Sequence, residues 1–135
     1  MNIRAHVWVL PLLLAAGTGS GLAVARGAQP ERPETVMITL HAKAGVESDL
    51  ARVIASHWTT ARRLHLVLDT PHLTLRSDDG KTFVEILTWK DESVPDDAPA
   101  EIRAIWDEMN RLVEARGGTP GLTIEQVSVV SDSVR

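Results

Sequence analysis

The stretch HLTLRSDDGKTFVEILTW, residues 72–89, constrains the fold more than any other part of this chain. Two alternating runs flank Asp78-Asp79-Gly80, and an Asp-Gly pair supplies the positive φ angles that a tight hairpin needs. On the first run His72, Thr74 and Arg76 alternate with Leu73 and Leu75. On the second, Val84, Ile86 and Thr88 alternate with Phe83, Glu85, Leu87 and Trp89. An acidic loop, residues 90–99, separates this hairpin from a helix that opens near Pro99, a residue tolerated in a first turn. In that helix Ile102, Ile105, Trp106, Met109, Leu112, Val113 and Arg116 recur on one stripe, and Gly117-Gly118 stops it. A last strand follows, LTIEQVSVV at residues 122–130, in which Leu122 and Ile124 alternate with Thr123, Glu125 and Val127.

The first half of the domain supplies one more strand and one more helix. In VMITLHA, residues 36–42, Val36, Ile38, Leu40 and Ala42 point one way and Met37, Thr39 and His41 the other. The apolar set belongs beneath the helices. Residues 46–67 read as a helix with Leu50, Val53, Ile54, His57, Ala61 and Leu64 on its apolar stripe, Ser48 as cap, and Glu47 and Asp49 near the positive end of the dipole. Asp69-Thr70-Pro71 ends it before the hairpin. Strand, helix, hairpin, helix, strand is the βαββαβ order of an α+β, ferredoxin-like sandwich. Two helices cover one face of such a sheet, and the bare face calls for a second subunit, so a homodimer is expected.

Residues 1–25 carry a secretory signal pattern: Arg4 in the n-region, the apolar run VWVLPLLLAA, and small residues at Ala23 and Ala25. GTGSG, residues 17–21, is a poor membrane helix, so cleavage and export to the periplasm or medium are expected, with no membrane attachment afterwards; the alternative is an uncleaved anchor, since residues 7–25 carry no charge. Residues 26–35 read as a disordered linker, 36–130 as the domain and 131–135 as a frayed tail. The chain has no cysteine, which removes disulfides, thiol catalysis and iron–sulfur clusters. Its formal net charge is -4, and no basic cluster exceeds Arg62-Arg63. A nucleic-acid partner, which needs a basic stripe, is therefore not expected. No HxxxH or HExxH pair, glycine-rich phosphate loop or GxSxG elbow is present, so neither a metal nor a cofactor is expected.

If Glu85, Leu87 and Trp89 share the bare face with His41, His72, Thr74 and Arg76, a dimer interface would enclose histidine, arginine, carboxylate and tryptophan together. Burial and pairing would then tune those groups for proton transfer. His41 and Glu85 are the candidate catalytic residues on this reading. Trp89, Arg76, His72, Trp106 and Met109 are the candidate substrate contacts. The plainer readings are an Arg76–Glu85 ion pair knitting the dimer, Trp106 and Met109 as core or pocket wall, and His57 as a satisfied core histidine.

The βαββαβ order, together with FVEILTWKD at residues 83–91, resembles the antibiotic biosynthesis monooxygenase-like families of the dimeric α/β barrel superfamily. The resemblance spans residues 36–130. It implies a barrel made from two sheets and a pocket for a small molecule. It also implies cofactor-independent monooxygenation of an aromatic or apolar substrate, with Trp89 at the family's tryptophan position. The alternative is a non-catalytic ligand-binding or stress-associated dimeric module. The chain has no tyrosine, Asn110 is the domain's single asparagine, and residues 99–117 hold no histidine of the kind haem-degrading relatives use. The pattern fits an exported branch rather than either of those enzyme groups.

Overall fold

A computed structural model describes residues 29–130. The expected signal and tail lie outside the described residues. In chain order the elements are β1 (Glu34–His41), α1 (Glu47–Arg63), β2 (Leu73–Arg76), β3 (Thr82–Trp89), α2 (Ala100–Leu112) and β4 (Leu122–Gln126). The strands form one antiparallel sheet in the order β2-β3-β1-β4. Both helices pack on one face of it, which gives the α+β ferredoxin-like sandwich that the hydrophobic periodicities imply. Val36, Ile38 and Leu40 of β1 meet Leu50 and Ile54 of α1 and Ile102 and Met109 of α2 in a single core.

β4 ends at Gln126 rather than running to Val130, and three other boundaries differ from the sequence expectation because backbone groups find strand-like partners. β1 begins earlier: Glu34 and Thr35 pair with Trp89 and Thr88. Just ahead of it, the backbone N–H of Arg32 donates to the Asp91 carboxylate. Hydrogen bonds to that carboxylate from the Ser93 hydroxyl and from the backbone of Arg32 and Ser93 bring Asp91 down to about 2, so this stretch is docked rather than a free linker. α1 stops at Arg63 because Leu66 and Leu68 exchange hydrogen bonds with Lys90 and Thr88 at the end of β3. α2 stops at Leu112 because Val113 turns extended and bridges Ala42, with the Lys43 N–H donating to the Leu112 carbonyl. The N-cap of α1 is Val46, without a side-chain cap, so Ser48 lies inside the first turn.

The register decides which residues share a face, because directly opposed residues in an antiparallel pair project to the same side. Glu85 lies opposite Ile38, Leu87 opposite Val36, and Trp89 opposite Glu34. Glu85, Leu87 and Trp89 are therefore beneath the helices, and all three are buried. Thr74 and Arg76, opposite Glu85 and Phe83, take the same side. This corrects the expected grouping of these residues on the bare face. Both alternating sets of β3 are mostly apolar, so the charge of Glu85 was the only cue to its orientation, and a buried partner on α1 reverses that cue. The bare face instead carries Met37, Thr39 and His41 with Leu73, Leu75, Val84, Ile86 and Glu125.

Gly121, just before β4, is required by close approach. A Cβ there would lie 2.7–2.8 Å from backbone atoms of Glu114, while the Gly121 carbonyl accepts the His41 N–H. Gly121→Ala is expected to destabilise the fold by about 1–3 kcal/mol, the usual range for overpacking against rigid neighbours. The urea midpoint checks this, and an unchanged midpoint would show that the Glu114 turn yields freely.

Candidate functional site

The helix-covered side of the sheet holds a chain of polar contacts inside the core. His57 projects from the apolar stripe of α1 and is fully buried, as is Glu85 on β3. His57 Nδ1 lies 2.9 Å from Glu85 Oε2. From α2, the Trp106 indole N–H donates to His57 Nε2 at 3.0 Å. An indole nitrogen can only donate, so Nε2 accepts, and the ring proton sits on Nδ1 and is donated to Glu85. Both ring nitrogens are thus used, which satisfies a histidine in an apolar setting. On the far side of the carboxylate, Glu85 Oε1 faces His72 Nε2 at 3.8 Å, and neither atom has a hydrogen-bond partner. The His72 ring stacks on Trp58 at a centroid distance of 3.6 Å and an interplanar angle of 3°.

Next to this chain the sandwich is incompletely closed. Ile124 is opposite Ile38, on the covered side of the sheet, yet it is 62% exposed. α2 leaves β4 partly uncovered, and the gap is a pocket of about 450 Å³. Val36, Ile38, Leu122 and Ile124 line it from the sheet and Met109 from α2, with Glu34, Asn110 and Gln126 among its polar groups. Trp89 and Trp106 form its aromatic corner, edge to face at 6.2 Å and 81°. An apolar, concave site with a few polar groups is the usual form of a small-molecule pocket, and the volume lies in the customary range of about 300–1,000 Å³. A wider depression of about 660 Å³ lies at the end of α1. Its cations are already paired, Arg62 with Asp69, Arg63 with Glu101 and Lys90 with Glu31, so it offers little net charge to a ligand.

No protein-family model and no curated protein matches the chain. Solved structures do match the fold. The cofactor-independent oxygenase SnoaB from Streptomyces nogalater superposes with a TM-score of 0.59 over 76% of this chain and 98% of its own, at 14% identity. A putative antibiotic biosynthesis monooxygenase from Bacteroides thetaiotaomicron gives 0.59 over 76% and 94%, at 8% identity. Another from Nitrosomonas europaea gives 0.57 over 73% and 90%, at 10% identity. The chain shares the α+β ferredoxin-like fold of these proteins.

Within this fold the residues picked out from the sequence divide into four groups. Trp89, Trp106 and Met109 come together in the pocket. Glu85 is one layer behind them, separated from the pocket wall by His57, and His72 lies beyond Glu85. His41 is on the opposite face of the sheet, with Nδ1 3.0 Å from the Thr82 hydroxyl, so His41 and Glu85 do not act on one substrate within a subunit. Arg76 is exposed, and the carboxylate expected to pair with it is bound to His57 instead. Sequence reasoning missed Glu34, Ile124 and Gln126 as pocket residues. Their position depends on α2 falling short of β4, which no local pattern records. The centrality of His57 had a signal: a lone histidine on an apolar stripe needs polar partners, and Glu85 and Trp106 are among the core's few candidates.

His72 gives the cluster a pH signature. Burial is the main cause holding its pKa below the usual 6.5, opposed by the nearby Glu85 and reinforced by His57 and Arg62. In the unfolded chain the ring takes up a proton as pH falls through 6.5, whereas in the fold it does so only at lower pH. Between those values the unfolded state binds more protons, so stability declines as pH falls through that window. His72→Phe, which keeps the stack on Trp58, is expected to flatten the fall of the urea midpoint below 6.5. Parallel pH profiles for the two proteins would show that His72 contributes nothing to it.

Proposed function

We propose that this protein is an exported, dimeric binding protein for a small apolar or aromatic molecule, held in the pocket between β1, β4 and α2. The observation that carries this reading is the Trp89–Trp106 corner. Trp106 is tied by its N–H to the buried His57–Glu85 pair, so its polar atom is committed and its ring carbons remain for the ligand. A side chain fixed in this way costs little further entropy on binding. The signal pattern of residues 1–25 supports export. The exposed Leu73 and Leu75 beside Met37, Val84 and Ile86 on the bare face support pairing with a second copy.

The enzymatic form of this reading is cofactor-independent monooxygenation. The substrate then supplies the electrons, one oxygen atom enters it as a carbonyl, and the other leaves as water. The tests are calorimetric titration of the mature protein with tryptophol, a neutral aromatic probe, and oxygen uptake with an anthrone in the absence of flavin, haem and metal. Saturable tryptophol binding with oxygen uptake supports an enzyme. Binding without uptake supports the non-catalytic module, which is also favoured by the sealing of Glu85 behind His57. No binding overturns the pocket reading.

A further inference from the structure

The pocket has a charge pattern as well as an apolar one. Of its lining residues, Glu34 alone carries a charge, and no lysine, arginine or histidine lines it. Glu34 sits directly opposite Trp89 across the β1–β3 pair. Opposed side chains of this kind lie about 4.5–5.5 Å apart at Cβ, so the carboxylate borders the aromatic corner. The two charged groups that act on it most are both carboxylates. Burial first, and then Glu92 and Asp96 of the acidic loop, raise its pKa above the ordinary carboxylate value, with no cation offsetting them. Glu92 is paired with Arg32, but among the described residues neither Glu34 nor Asp96 has an ion-pair partner.

We infer that the ligand of this pocket is an amine: a flat apolar or aromatic body lying against Trp89 and Trp106, with a protonated nitrogen beside Glu34. The inference rests on the pocket reading above and adds the ligand's charge to it. An ammonium group in this position supplies the counter-charge that Glu34 lacks. Indole rings add attraction through their negative faces, more so where water is excluded. A carboxylate ligand of the same shape meets the Glu34 carboxylate with no cation on the pocket wall to offset it, and is rejected by like-charge repulsion.

The test uses three probes that share an indole body: tryptamine, tryptophol and indole propionate, titrated by calorimetry into the mature protein near neutral pH. Tryptamine is expected to bind at least about tenfold more tightly than tryptophol, equivalent to about 1.4 kcal/mol, and indole propionate more weakly than either. In Glu34→Gln, with its fold checked by the urea midpoint, the preference for tryptamine over tryptophol is expected to collapse towards unity. If tryptophol binds and tryptamine gains nothing, this inference falls and the pocket reading stands. If the preference persists in Glu34→Gln, it comes from the general field of an acidic chain, and the assignment to Glu34 is overturned. If none of the three probes binds, both readings fall together.

Discussion

His57→Leu is expected to destabilise the protein by about 3–5 kcal/mol, the range for removing one partner of a buried polar pair. The loss comes from what remains behind. Glu85 Oε2 and the Trp106 N–H both lose their partner, and Glu85 is buried with its other oxygen already unbonded. Glu85→Leu is expected to act on a similar scale, because it strands the Nδ1 proton of His57. The double variant His57→Leu/Glu85→Leu is the informative one. Replacing both partners with apolar side chains removes the stranded carboxylate and the stranded Nδ1 proton and leaves the Trp106 N–H as the one donor without its acceptor, so part of the loss is expected to be recovered, with a coupling energy of about 0.5–3 kcal/mol. Urea unfolding with an unchanged m-value measures this. Additive losses in the double variant would show that the two side chains do not act as a pair.

Ile124→Trp is expected to weaken tryptophol binding by at least about tenfold while shifting stability by no more than about 0.5 kcal/mol. The position is largely exposed yet lies on the covered side of β4, so a larger ring enters the pocket rather than the core, and exposed substitutions away from the core are usually near neutral. The same enlargement on the bare face, at Leu75, serves as the control and leaves binding unchanged. Loss of binding at Leu75→Trp with retention at Ile124→Trp would move the site to the other side of the sheet.

The fold was legible because its signals are local. Asp79-Gly80 sets the hairpin, with Gly80 at φ +73°. The alternation of Val36, Ile38 and Leu40, and the apolar stripes of the two helices, each name their own element and buried face. The orientation of β3 was not legible. Phe83, Glu85, Leu87 and Trp89 compete with Val84, Ile86 and Thr88 for the same description, and only the pairing with β1 decides between them. The early ends of both helices were hidden for a related reason. Leu66, Leu68 and Val113 have adequate helix propensity, but hydrogen bonds to distant strand residues override it. The large apolar residues of the pocket were identifiable as types, through Trp89, Trp106 and Met109. The pocket's opening at Ile124 and its charge at Glu34 required the packing of α2 against the sheet.

The most direct test of the account is to map where a neutral aromatic probe binds. Nitrogen–proton correlation spectra of the mature protein, recorded during titration with tryptophol, read out the backbone and the indole N–H groups together. The account predicts shifts concentrated at the indole signals of Trp89 and Trp106 and at the amides of Val36, Met109, Leu122 and Ile124, which line one pocket. Shifts concentrated instead at Leu73, Leu75 and Ile86, or around Arg62 and Lys90, would place the ligand elsewhere and contradict it.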